Sequence, residues 1–243
     1  ELEVVNAANT MHLDSYKDYL YGRLQRRGFD KKDIHRLAAR DRHVFGALML
    51  AHGHGDGLVT GATRKSAHVL ERINHVFEAN AEHGAAGFTA LMHKGRIVFI
   101  ADENDLANIA ESGARVARHM GLEPRVAFVS FSTFGYPVSE RAEKMHLAPN
   151  VLDARGVDFE YEGEMTVDVA LNVAAQKSYP FSRLTGPANI LVVPARHSAS
   201  ISVKLMQEMG GATVIGPILT GLDQSIQICS TNATANDILN MAI

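Results

Sequence analysis

The 243-residue sequence predicts an α/β fold with a mostly parallel sheet, and three observations carry that prediction. Strand-like apolar runs alternate with segments of helical periodicity, the pattern of strands joined by helical crossovers. Two of the runs, Arg125 to Phe131 and Asn189 to Val193, are apolar at consecutive rather than alternate positions, as strands covered on both faces require. Three runs also lead into loops rich in hydroxyls or glycine, at Thr60 to Ser66, Ser132 to Pro137 and Arg196 to Ser200. Open α/β sheets bind ligands at such carboxyl-terminal strand ends.

In chain order, Leu2 to Val5 is a short β-prone run, and Asp14 to Arg27 and Lys31 to Ala39 are charged helices separated by Gly28. Arg42 to Ala51 is a more apolar helix that stops at His52-Gly53. Gly57 to Val59 is a strand, and the helix after its loop buries Val69, Leu70, Ile73, Val76 and Phe77 on one face. Gly87 to Met92 and Arg96 to Ala101 flank His93-Lys94-Gly95 and form a hairpin or two separated strands. From Asn104, Leu106, Ile109, Ala110, Val116, Ala117 and Met120 repeat with helical period up to Gly121. Beyond the strand at Arg125, Val138 to His146 is helical, Pro149 interrupts it, and a further turn or helix runs to Gly156. Asp158 to Tyr161 is a strand, Glu164 to Leu171 a short helical stretch, and Gln176 to Ser182 a polar loop. The strand from Asn189 ends at Pro194, and a helix with Ile201, Leu205, Met206 and Met209 on one side follows until Gly210-Gly211.

At the mouth of that last helix Ser198 and Ser200 are natural N-caps, and the free N–H groups of a first turn attract anions. Lys204 lies one turn beyond Ser200 and adds a positive charge; as plain structure it would instead pair with Glu208. Thr234 and Asp237 have the spacing of a capping box opening a final helix. His52, His54 and Asp56 invite a metal hypothesis, but two histidines among glycines without a third ordered ligand read as a loop, and no metal site is expected.

Composition narrows the function. Lysine and arginine number 24 against 27 acidic residues, a formal charge of −3, with no basic block, so bulk-charge binding of nucleic acid or an anionic membrane is not expected. The single cysteine, Cys229, adjoins the apolar run from Ile226 to Ile228 and reads as an inert buried thiol; with no internal disulfide available, a cytoplasmic protein is expected. The chain begins Glu1-Leu2-Glu3 and stops inside a helical pattern, so both ends read as cut from a longer polypeptide. There is no GxGxxG after a strand, no Walker A lysine and no GxSxG. From the residues alone this is an α/β protein that binds an anionic small molecule.

A series of blocks goes further: FGALML from Phe45, DGLVTGATRKSA from Asp56, PRVAFVSFST from Pro124, GEM at Gly163 to Met165, GPANILVVP from Gly186, GGATVIGPILTGL from Gly210, and Ser230 to Asp237. In this order and over nearly the whole length they resemble the phosphotransacetylase (phosphate acetyl/butyryltransferase) family. HSASISVKLMQEMGG from His197 and VDFEYEGEM from Val157 are most similar to the C-terminal phosphotransacetylase-like domain of hybrid, multidomain malic enzymes. The resemblance implies a two-lobed α/β/α sandwich like that of isocitrate and isopropylmalate dehydrogenases. One lobe would be residues 1–133 with 226–243, the other 134–225, and the family's N-terminal strand-helix segment is missing. Between Asp102 and Leu106 relatives carry a longer loop.

By the same resemblance the cleft receives coenzyme A and acyl phosphate, an aspartate activates the thiol, and a serine with the arginine beside it steadies the transition state. The matching serine and aspartate are Ser230 and Asp237, but the arginine is Thr231. An acid expected after the central strand is Ala195, and Glu71 stands where an arginine is expected. A threonine cannot grip phosphate oxygens in two places as a guanidinium does, so Ser230 and Asp237 are taken as vestigial. Arg125, Ser132, Thr133, Ser198, Ser200, Lys204, Ser230, Thr231 and Asp237 are the expected ligand-binding residues. The resemblance then implies a regulatory domain of a NAD(P)-dependent malic enzyme that binds acetyl-CoA or CoA as effector. NAD(P) and a divalent metal would belong to the malic-enzyme catalytic domain of the same polypeptide, and the assembly would be a homo-oligomer. The alternative is a working phosphate acetyltransferase in which Arg64 or Arg196 replaces the lost arginine.

Overall fold

The computed structural model describes residues 3–78, 86–101 and 105–242. They form two compact units, Glu1–Glu82 with Gly221–Ile243 and His83–Thr220. Among them no helix is long and apolar enough to cross a membrane. The expected loop difference between Asp102 and Leu106 falls largely outside the described residues.

The first unit opens on coil at residues 3–6, where a strand was expected. Helices α1 (Leu13–Leu24), α2 (Lys31–Arg40) and α3 (Arg42–Ala51) follow, with Gly28 in the left-handed conformation behind α1 and its terminal 3₁₀ turn. Next come β1 (Leu58–Gly61) and α4 (Ser66–Ile73), which stops before Val76 and Phe77. Tyr16, Leu20, Leu37, Val44, Leu48 and Val76 form its core.

The second unit is built on a six-stranded sheet. Strands β2 (Ala86–His93) and β3 (Arg96–Ala101) form an antiparallel hairpin around Lys94 and Gly95, both with positive φ. Helix α5 (Leu106–His119) leads to β4 (Arg125–Val129), and α6 (Glu140–Arg155) leads to β5 (Glu160–Met165). Short helices α7 (Val167–Leu171) and α8 (Val173–Gln176) precede β6 (Ile190–Val192). Helix α9 (Arg196–Gly210) and β7 (Thr213–Thr220) complete the unit. The chain then returns to the first unit as β8 (Ile226–Cys229), parallel to β1, and α10 (Ala235–Ala242).

The sheet order is β5-β4-β6-β3-β2-β7, and only β2 runs against the others. Along β4 and β6 successive side chains enter opposite cores, which explains their unbroken apolar runs. Val126, Phe128, Ile190 and Val192 pack with Ile109, Met145 and Leu152 of α5 and α6. Ala127, Val129, Leu191 and Val193 pack with Val169 and Ala199 of α7 and α9. Strand β7 tolerates Pro217 because it is an edge, where a missing ladder N–H costs little.

Three expectations are corrected. A division at residue 133 would cut the sheet, because β4 pairs with β5, so residues 86–133 belong with 134–220. Pro149 does not interrupt α6; it is buried in the helix, and Met145, Ala148 and Leu152 hold that helix on the sheet at the cost of one N–H bond. Residues 160–165 are strand throughout, although Glu164 was read as the start of a helix. The carboxylates of Glu162 and Glu164 are buried there because partners distant in sequence satisfy them.

Candidate functional site

From β4, α6 carries the chain toward β5 over one face of the sheet, while from β6, α9 carries it toward β7 over the other. Since β4 and β6 are neighbours, their exits diverge at their carboxyl ends, the arrangement that gives open α/β sheets a crevice. In open α/β sheets this switch point is where ligands bind.

On the β4 side, the loop at residues 132–136 turns on itself, with Thr133 N–H donating to the Tyr136 carbonyl at 2.9 Å. Phe134 takes φ +50°, which a side chain bearing Cβ adopts only under constraint. Glu164 supplies the constraint. Its carbonyl accepts the Phe134 N–H at 2.8 Å, and its Oε1 accepts the Gly135 N–H at 2.8 Å and the Ser132 hydroxyl at 2.7 Å. His146 Nδ1, on α6, lies 2.7 Å from Oε2. The Glu164 side chain is wholly buried, which alone would push its carboxyl up, but the bonds from Ser132, Gly135 and His146 outweigh that and hold it below the ordinary range. This carboxylate braces the loop and has no free face for ligand. Ser132, 1% exposed, is likewise spent on Glu164 and is not open to solvent, contrary to its expected ligand role. Thr133 stays partly exposed and accepts the Thr166 N–H at 3.2 Å, tying the ends of β4 and β5.

On the β6 side, α9 begins at Arg196 behind Ala195, which supplies no side-chain cap. Ser198 and Ser200 are therefore inside the helix rather than at its cap. The first helical bond is Ala199 N–H to the Ala195 carbonyl at 3.2 Å, leaving the N–H groups of Arg196, His197 and Ser198 without acceptors in the helix. Arg196, Ser200 and Lys204 are exposed, and Ser198 is half-buried.

Arg125 is not at this end. It opens β4, and the strand between it and the crevice loop spans about 13 Å at the usual rise. Its Nε donates to the Pro187 carbonyl at 3.0 Å, and its backbone N–H to Asn189 Oδ1 at 2.8 Å, so it fixes the approach to β6. Sequence reasoning missed Glu164 and His146, whose partners no local pattern reveals. It also missed Phe134, Tyr179 and Phe181, whose rings cluster with centroids 4.8 Å apart for Phe134–Phe181 and 5.2 Å for Phe134–Tyr179. Phe181 is 65% exposed and offers a ring to a planar group.

The remaining expected residues lie in the first unit. Ser230 and Thr231 are exposed in the turn after β8. Asp237 closes a capping box on α10, its Oδ2 accepting the Thr234 N–H at 2.7 Å and the Thr234 hydroxyl at 2.8 Å. Those bonds, the N–H first, lower its pKa and weaken it as a base. His54 Nδ1 is 2.6 Å from the Tyr16 hydroxyl and His52 Nδ1 is 2.8 Å from the Leu48 carbonyl. Among the described residues no group of three or more His, Cys, Asp or Glu is arranged to hold a metal.

With this geometry the chain matches the phosphate acetyl/butaryl transferase family over residues 1–243, and it belongs to that family. It is 46% identical over 249 residues to an NADP-dependent malic enzyme of Rhizobium meliloti (strain 1021), covering 99% of this chain and 33% of that protein. It is 29% identical over 229 residues to a phosphate acetyltransferase of Bacillus subtilis (strain 168), covering 90% of this chain and 71% of that protein. A phosphotransacetylase crystal structure from Streptococcus pyogenes superposes with a TM-score of 0.88 at 25% identity, over 100% of this chain and 77% of that one. The chain thus spans about a third of the length of the malic enzymes it matches.

Proposed function

We propose that this chain is the regulatory part of a NAD(P)-dependent malic enzyme, binding acetyl-CoA as an inhibitor of malate decarboxylation carried out elsewhere in the same polypeptide, without transferring an acyl group itself. The carrying observation is that near-complete coverage at 46% identity falls on a malic enzyme three times the length of the matched region. The crevice suits such a ligand: uncapped N–H groups of α9 with Arg196 for its phosphates, and Phe181 for its flat base. Transfer needs a competent base and a fixed cation at the leaving phosphate. Asp237 is committed to its helix cap, and Thr231 stands where the family resemblance calls for arginine.

Inhibition requires acetyl-CoA to bind two arrangements of the whole protein unequally, since equal affinity shifts nothing. NAD(P) and the divalent metal would reside in the malic-enzyme part. A cytoplasmic homo-oligomer is the expected assembly, and the exposed Ile201, Leu205 and Met209 along α9 suit a subunit contact. Calorimetry of this chain with acetyl-CoA tests the reading; absence of binding at about 1 mM ligand, the weak limit of a metabolite effector, refutes it.

The second reading, a working phosphate acetyltransferase, draws on the Bacillus subtilis similarity. An assay of CoA acetylation by acetyl phosphate separates them, because turnover of about 1 s⁻¹ or faster lies in the ordinary enzyme range.

A further inference from the structure

A second cluster of charge sits in the first unit, on elements other than those of β4 and β6. A cavity of about 320 Å³ is lined by Arg40, Asp41, Arg42, His43, Arg64 and His68, at the starts of α3 and α4. Three guanidinium groups and two imidazoles face one carboxylate there, and that carboxylate is already engaged. Asp41 Oδ1 accepts the N–H groups of His43 and Val44 at 2.9 and 3.3 Å, and Oδ2 lies 3.4 Å from Arg72 Nε. Among the described residues no carboxylate pairs with Arg40, Arg42 or Arg64. His68 Nδ1 lies 3.9 Å from Glu71, so the excess of positive charge rests on the three guanidinium groups; such like charges repel one another, and an anion relieves that.

His43 is the second, independent sign. It is 3% exposed, its Nδ1 lies 2.7 Å from the Thr60 hydroxyl, and its Nε2 has no hydrogen-bond partner. A buried polar atom left so is unfavourable until a partner reaches it. When the Thr60 hydroxyl donates to Nδ1, the proton of the neutral ring sits on Nε2 and makes it a donor for an anion. Burial lowers the His43 pKa; Asp41 opposes this, and Arg42, His68 and Arg64 add to it, so the neutral ring prevails at neutral pH. Helix α4 also begins behind Lys65 without a side-chain cap.

We infer that this cavity is a phosphate-recognising site, holding the phosphate of a small phosphorylated molecule between Arg42 and Arg64 with His43 donating from Nε2. A guanidinium fork matches phosphate oxygens in geometry as well as charge, and the cavity has the size of a small-ligand pocket. The phosphate can be free or belong to a larger ligand, the 3′-phosphate of coenzyme A included.

The test uses the full chain and the exposed pair Arg42→Gln/Arg64→Gln, which leaves the buried His43 in place. Inorganic phosphate, followed by ³¹P NMR, is expected to bind in the millimolar range and to weaken about tenfold or more in the double variant. Coenzyme A and dephospho-coenzyme A are then compared. If coenzyme A binds about tenfold tighter and the variant loses the difference, the 3′-phosphate is the occupant. If the two bind alike while phosphate still responds to the substitutions, the site stands for another phosphorylated molecule. Phosphate binding that is absent at about 10 mM, or unchanged in the variant, overturns the assignment. A wild-type chain that binds phosphate but not acetyl-CoA would refute the effector reading and leave this site intact.

Discussion

Replacing Glu164 by alanine or glutamine separates the two things this carboxylate does, filling a buried space and charging three hydrogen bonds. Alanine leaves the Ser132 hydroxyl and the Gly135 N–H without their acceptor, and each orphaned buried donor costs about 1–3 kcal/mol. With the lost volume the expected destabilisation is about 3–5 kcal/mol. Glutamine keeps the shape and one acceptor oxygen. It turns three charge-assisted bonds into neutral ones, a loss of about 1–3 kcal/mol in all. Urea unfolding at neutral pH measures both as shifts of the midpoint at constant slope. The pH dependence adds a second readout. Because the folded pKa is held below the ordinary 4.5, the carboxylate's stabilisation is complete above that value and is lost as pH falls through the lower folded one. The wild type is expected to show this acid slope and Glu164→Gln to lack it. A glutamine variant within about 0.5 kcal/mol of wild type, with an unaltered acid slope, would mean that the charge does not brace the loop.

Three further outcomes follow from the same geometry. Arg125→Ala is expected to lower stability by about 1–2 kcal/mol through the lost bond to Pro187 while leaving acetyl-CoA affinity within about twofold; a tenfold loss of affinity by calorimetry would return Arg125 to the ligand site. Gly61, at φ +112°, lies so close to β8 that a Cβ would collide with the backbone of Cys229. Gly61→Ala should therefore cost about 1–3 kcal/mol or more and speed amide exchange in β1 and β8, and normal protection there would contradict the pairing. The Cys229 thiol, 4% exposed and raised in pKa by burial and then by Asp237, should react about 10²-fold more slowly with a thiol reagent than free cysteine at neutral pH; fast modification of the native chain would place it at the surface.

Much of the fold was legible locally. The apolar positions from Leu106 to Ala117 mark α5, the unbroken runs at Arg125 and Ile190 mark β4 and β6, and Thr234 with Asp237 marks the start of α10. Each depends on residues within a few positions of one another, which periodicity and capping spacing record. The hairpin of β2 and β3 stayed undecided against separated strands, since only pairing distinguishes the two.

The tertiary structure alone decided the rest, because a buried charge or a strained turn is held by groups far away along the chain. The polar stretch Glu160–Met165 is a strand since Arg183 satisfies Glu162, and Ser132 and His146 satisfy Glu164. Pro149 stays helical since the sheet beneath α6 outweighs one missing bond. Arg125 and Ser132, seven residues apart, serve opposite ends of one strand, and only the sheet order identifies the end with the crevice. The sequence thus determined which residues could form strands and helices and to which family they belong. Long-range packing determined which polar groups are spent on structure and which are left for a ligand.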